Sequence, residues 1–156
     1  TFCPLVLDEG DVQLDTLLSG RYSGVSAKNC KGVFRALANR EEAARLQPHR
    51  FQTSEDLTNL PVLALQQDLC TAACLDLGHS ERNGHHYFPG LDHLPGPVVE
   101  AALAAHPDLY ERAPRGAKLR IEAGSLAIRS LHGIGYACDQ TVVDALDREL
   151  PWTPLA

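Results

Sequence analysis

Methionine is missing from all 156 residues of the sequence, position 1 included. The chain also opens almost directly in a predicted strand. Together these suggest a piece of something longer; sparse methionine usage in a GC-rich gene with a processed start is the alternative. No apolar run approaches the roughly 20 residues needed to span a bilayer. The opening Thr1-Phe2-Cys3-Pro4 has no basic region followed by an apolar stretch, so no signal peptide is expected. No basic run is interleaved with aromatics. The net charge of -6 and pI of about 5.6 argue against nucleic acid or an anionic membrane as partner. The five cysteines, Cys3, Cys30, Cys70, Cys74 and Cys138, are odd in number and match no disulfide framework, so a reducing cytoplasm is the expected setting. Neither Ser54 nor Ser80 sits in a Gly-x-Ser-x-Gly turn, which removes that class of hydrolase.

What is present is a chain long enough for a real core, 44% hydrophobic and 22% charged, the balance of a globular protein. Two short apolar runs stand out. Leu5-Val6-Leu7 ends in Asp8-Glu9, and Gly24-Val25-Ser26-Ala27 ends in Lys28. Between them, Val12 to Leu18 can be helical. A parallel β-α-β unit places both strand ends on one rim, so Asp8 and Lys28 can share a pocket although they are far apart in sequence.

Further along, Pro4 to Leu7, Arg21 to Ala27 and Arg50 to Thr53 read as strands. Asn29 to Asn39 reads as a helix with Val33, Phe34 and Leu37 on its apolar face. Arg40 to His49 reads as a frayed end and loop. Pro61 to Leu77 is the clearest helix: Val62, Leu65, Leu69 and Ala72 repeat at helical spacing, Gln66, Gln67 and Asp68 face away, and Gly78 can stop it. A fourth strand is placed around His79 to Arg82. Beyond it come a loop from His85 to Pro97 and a helix from Val98 to His106. A hairpin of Lys118 to Ile121 with Ser125 to Ile128 follows. A last helix runs from Thr141 to Leu150, with Thr141 and Asp144 in a capping-box-like arrangement.

Several of these segments resemble the C-terminal half of an enolase-superfamily enzyme of the mandelate racemase and muconate lactonizing type. Pro4-Leu5-Val6-Leu7-Asp8-Glu9 is similar to the strand carrying the third metal-binding carboxylate. Lys28-Asn29-Cys30-Lys31-Gly32 is similar to the next strand end, where many members carry a catalytic lysine. Thr53-Ser54-Glu55-Asp56-Leu57, the stretch from Glu81 to Phe88, and Gly133-Ile134-Gly135 followed by Asp139 resemble later segments of the family. The fold implied is α/β: a partial (β/α) TIM-type barrel over residues 1–96, then a small α+β tail with a hairpin and terminal helix over 97–156.

The activity implied is Mg²⁺-dependent abstraction of the proton α to a carboxylate, as in acid-sugar dehydratases, racemases and cycloisomerases. Lys28 takes the role of base and needs a pKa lowered toward neutrality. Asp8, and with it Glu9, takes the role of metal ligand. Glu55, Asp56 and His85 take that of substrate contacts. A small carboxylate such as an acid sugar is the implied substrate. Either the missing N-terminal part or a second copy is needed to cover an open barrel.

Each role has a plainer counterpart. Asp8 can be a solvated helix-capping acid, Lys28 a surface lysine, and Glu55 and Asp56 acids favoured by a helix N-terminus. Cys70, Cys74 and His79 can hold zinc, or the thiols can be core residues. The chain as a whole can be an inactive truncated barrel or an interaction module.

Overall fold

The computed structural model describes residues 5–8, 21–46, 50–55, 59–81 and 90–150. By its internal contacts the chain divides into two compact units, Thr1–Thr58 with Thr71–Arg82, and Asn59–Cys70 with Asn83–Ala156. This partition differs from a division at residue 96. The expected helix over 12–18 lies outside the described residues.

The first unit is built on three parallel strands in the order β1-β2-β3: β1 Val6–Leu7, β2 Gly24–Ala27 and β3 Phe51–Ser54. Leu7 aligns with Val25, and Ala27 with Ser54. Gly24 is where the sheet tolerates no side chain: a Cβ there would lie 2.8 Å from the Phe51 carbonyl oxygen and 3.0 Å from its ring. After β2 comes a 3₁₀ turn, Asn29–Lys31, and then helix α1, Val33–Arg45. The helix is tied to the sheet by Gln52, whose side-chain amide donates to the Ala36 carbonyl at 3.0 Å.

Helix α1 departs from its sequence reading in two ways. It continues six residues beyond Asn39, to Arg45. The polar stretch that suggested fraying is held by Arg45 pairing with Glu41 and Glu42 at helical spacing. Its buried face is Ala36, Asn39 and Ala43, whereas Phe34 is 89% exposed. Small residues let the helix axis come close to the sheet, and Ala36 packs with Ala27 and Leu75. A phenylalanine at that contact would hold the two layers apart.

Residues 79–81 form no strand ladder, contrary to expectation. They run beside β3 all the same: the Glu81 amide donates to the Ser54 carbonyl at 3.4 Å, and the Ser54 and Ser80 hydroxyls lie 3.3 Å apart.

Helix α2, Leu63–Cys74, contributes residues 63–70 to the second unit and 71–74 to the first. Gln66 and Asp68 are buried rather than facing solvent, and the Gln66 amide donates to the Tyr110 hydroxyl at 3.2 Å. The hydrogen bond is what makes a core glutamine affordable. The helix is stopped by Asp76 rather than Gly78. Asp76 has φ 53, and the amides of Leu77 and Asp76 donate to the carbonyls of Ala72 and Ala73, a Schellman closure.

The second unit buries Leu65, Leu69, Leu91, Val98, Leu109, Tyr110, Leu131 and Val142 in one cluster. Helix α3, Gly96–Ala105, leads into an antiparallel hairpin of β4 Tyr110–Ala113 and β5 Gly116–Leu119 that the sequence reading did not foresee. Lys118 and Leu119 pair back onto β4 instead of forward. The foreseen hairpin shrinks to β6 Ile121–Glu122 with β7 Ser125–Leu126 around Ala123-Gly124. Helix α4, Gln140–Glu149, is capped two residues earlier than expected: Asp139 accepts from the Thr141 amide at 2.8 Å, and the Gln140 side-chain amide donates to Asp144.

Candidate functional site

Asp8, Lys28 and Glu55 are the residues that directly follow β1, β2 and β3. In a parallel sheet these ends lie on one rim. The register does the rest. Ala27 beside Ser54 makes Lys28 and Glu55 neighbours, and Leu7 beside Val25 brings Asp8 next to Ser26. Successive side chains alternate between faces. Ala27 and Gln52 contact α1, so Ser26, Lys28, Thr53 and Glu55 share the opposite face. Lys28 is still extended, with φ -131 and ψ 119, and Glu55 is fixed by its amide donating to the Ala27 carbonyl at 3.2 Å.

The lysine ammonium lies 2.9 Å from Asp8 Oδ2 and 3.4 Å from Glu55 Oε1. The three groups differ sharply in exposure: the side chain of Lys28 is 3% exposed, Glu55 29% and Asp8 67%. Asp8, Lys28 and Glu55 therefore meet in an ion-paired triad. Its electrostatics run against the requirement for a base poised near neutrality. Burial pushes the Lys28 amine down, but the hydrogen bond to Asp8 and the charge and hydrogen bond of Glu55 outweigh it. The pKa is raised above the ordinary lysine value, and the group is an ammonium at neutral pH.

Of the other residues singled out in the sequence, Glu9, Asp56 and His85 lie outside the described residues. The structure adds Thr53 and His79, which are hydrogen-bonded to each other one position below the triad. Thr53 could have been found by counting two back from Glu55 along a strand. Nothing in the sequence marks His79 as its partner.

The described donors do not by themselves make a magnesium site. Mg²⁺ takes hard oxygen ligands in near-octahedral geometry. Among the described residues no group of three or more His, Cys, Asp or Glu is placed to hold a metal. Asp8 and Glu55, the two rim carboxylates, both point at the Lys28 ammonium, which occupies the place of a cation between them. Cys70 donates instead to the Leu131 carbonyl at 3.4 Å, as a core thiol does. Cys30, Cys70, Cys74 and Cys138 form no disulfide with one another.

A second polar cluster lies in the other unit. His106 is 2% exposed. Its Nδ1 lies 3.0 Å from the Ser130 hydroxyl, and the Ser130 amide donates to Asp108 at 3.0 Å. Burial pushes the imidazole pKa down, against the raising effect of Asp139 and Asp108. A cavity of about 310 Å³ lined by Asp108, Arg120, Glu122, Ser125, Leu126 and Ala127 adjoins it. Asp108 Oδ1 is buried and has no hydrogen-bond partner.

No helix among the described residues is long and apolar enough to cross a membrane. No family model matches the chain, and comparison with curated proteins and with solved structures finds no significant match to either.

Proposed function

We propose that the rim of Asp8, Lys28 and Glu55 is a proton-transfer site acting on a small carboxylate, in a chain related to the C-terminal half of an enolase-like barrel. The observation that carries this reading is the buried Lys28 ammonium, held by two carboxylates at the C-terminal ends of three parallel strands. Burying an amine is costly unless it is paired, and strand-end rims of this kind are where β/α enzymes gather reacting groups. Lys28 attracts an anionic substrate and exchanges the proton next to the substrate carboxylate. Glu55 keeps the lysine in place and contacts the substrate. Because Lys28 is an ammonium at rest, it passes its proton to solvent first; the free amine then takes the proton next to the substrate carboxylate and, as the ammonium, returns one. It becomes a base only after losing a proton, which the two carboxylates oppose. Dehydration of an acid sugar, racemisation and cycloisomerisation are the outcomes open to such a site, in a cytoplasmic setting. Mg²⁺ belongs to the parent enzyme implied by the resemblance, and no step here is routed through it.

The test is exchange of a substrate α-proton with solvent deuterium, measured by proton NMR for a panel of hydroxy acids and acid sugars with and without Mg²⁺. Exchange by the purified chain that disappears in Lys28→Ala supports the reading. Absence of exchange throughout the panel refutes it for this chain.

A second reading, an interaction module without catalysis, is favoured by one observation. Strand β1 pairs on only one side among the described residues, and its flank exposes Leu5 and Val6. Sedimentation of the purified chain as a dimer, together with no proton exchange, would select it.

A further inference from the structure

We infer that a groove in the second unit, between the 91–96 segment, α3 and the β4–β5 turn, is a binding site for a small primary ammonium ion carrying a short apolar group. It uses none of the rim residues and is independent of the reading given for them. The groove encloses about 350 Å³, at the small end of the range for ligand sites. Leu94 and Val99 supply its apolar lining, and Asp92, Glu100 and Arg115 its charges.

The decisive group is Asp92. Its side chain is only 19% exposed, so little water reaches the carboxylate. Among the described residues its one charged partner is Arg115, whose Nη2 stands 3.5 Å from Oδ2, beyond good hydrogen-bond range. The arginine is 78% exposed, and a pair held so loosely at the surface contributes little. A largely buried carboxylate short of hydrogen bonds is costly. Glu100 is not in that position, because Arg112 donates to both its oxygens, at 2.8 and 2.6 Å. Asp92 is therefore where an incoming donor gains most. An ammonium gains more there than a neutral donor, since the charge-assisted bond is the stronger.

Gly116 keeps the approach open. Its φ of 95 requires glycine. A Cβ at that position would stand 3.8 Å from Asp92 Cα and 3.9 Å from Val99 Cγ1. A side chain would grow from that point, between Asp92 and Val99. Glycine leaves the space to a ligand, whose ammonium meets Asp92 while its apolar part lies on Leu94 and Val99.

The experiment is titration of the full chain with n-butylammonium, butan-1-ol and butyrate in about 0.1 M salt, which screens diffuse attraction between exposed charges. Binding is followed by the amide NMR shifts of Asp92, Leu94, Gly96 and Gly116. The unaltered protein is compared with Asp92→Asn, Arg115→Ala and Glu100→Gln, each checked for a folded amide spectrum. Butylammonium should shift these amides, and butan-1-ol should bind about tenfold more weakly. Asp92→Asn should lose about tenfold in affinity for the amine. Arg115→Ala should bind it at least as tightly, and Glu100→Gln should bind it unchanged. An equal loss in Glu100→Gln means general attraction to acidic surface and overturns the inference. Weaker binding in Arg115→Ala, or tighter binding of butyrate than of the amine, makes Arg115 the recognising group and overturns it too. Amide shifts that avoid the groove do the same. If Asp92→Asn fails to fold, the contrast between butylammonium and butan-1-ol on the unaltered chain decides: equal affinities overturn the site.

Discussion

His106 and Ser130 meet through one ring nitrogen, Nδ1 at 3.0 Å from the hydroxyl, while Nε2 of the same ring is buried without a hydrogen-bond partner. Burial disfavours the charged form of the ring and holds the imidazole pKa below the ordinary histidine value of 6.5, against the raising effect of Asp139 and Asp108. The folded state therefore binds fewer protons than the unfolded chain as the pH falls below about 6.5. Stability is fully present above that pH and is lost as the pH drops toward the lower folded-state value. Urea midpoints at pH 7.5, 6.5 and 5.5 should fall in that order, and His106→Gln should flatten the trend. Equal midpoints would mean that the ring is solvated. Asp108 and Asp139, both held below the ordinary carboxylate value, add a separate loss beginning below pH 3.8.

Lys28→Met keeps most of the side-chain volume and removes the charge that Asp8 and Glu55 share. Because Asp8 is well exposed, the cost is modest, about 1–2 kcal/mol of unfolding free energy. The folded-state pKa of Lys28 is raised, so this contribution is constant below pH 10.5 and disappears as the pH rises beyond it. Denaturant melts at pH 7 and pH 8 should show the same difference between the two proteins.

Gly24→Ala puts a methyl group 2.8 Å from the Phe51 carbonyl oxygen, a backbone atom that can move only with its strand. The expected loss is about 1–3 kcal/mol. Shortening Phe51 to Ala should not rescue it, since the carbonyl remains. Chemical denaturation of the single and double variants checks both statements.

Phe34→Ser and Ala36→Leu test which face of α1 is buried. With Phe34 89% exposed, the serine variant should lie within about 0.5 kcal/mol of the parent. The leucine variant forces volume into the contact with Ala27 and should cost about 1–3 kcal/mol. The reverse ranking would restore the face read from hydrophobic spacing.

That contrast explains what could be read in the sequence. The three strands, and with them the meeting of Asp8 with Lys28, were legible because short apolar runs ending in charged residues have few alternatives once the strands are parallel; that Glu55 joins them was not. The buried face of α1 was not, because hydrophobic spacing ranks Phe34 above Ala36, while close approach to a sheet ranks them the other way. The β4–β5 hairpin was hidden by Glu111, Arg112 and Arg115. It is carried by the burial of Tyr110, Ala117 and Leu119 and by the pair of Glu111 with Lys118 at 3.0 Å. The protonation state of Lys28 depends on two distances, which no spacing in the sequence encodes.

Helix α2 gives its first eight residues to one unit and its last four to the other. A protease cut after residue 82 would thus leave residues 83–156 without Val62, Leu65 and Leu69, three members of the cluster they fold around. The other fragment, residues 1–82, would keep Leu75 against Ala27 and Ala36. The fragment 83–156 is thus the one that loses part of its core.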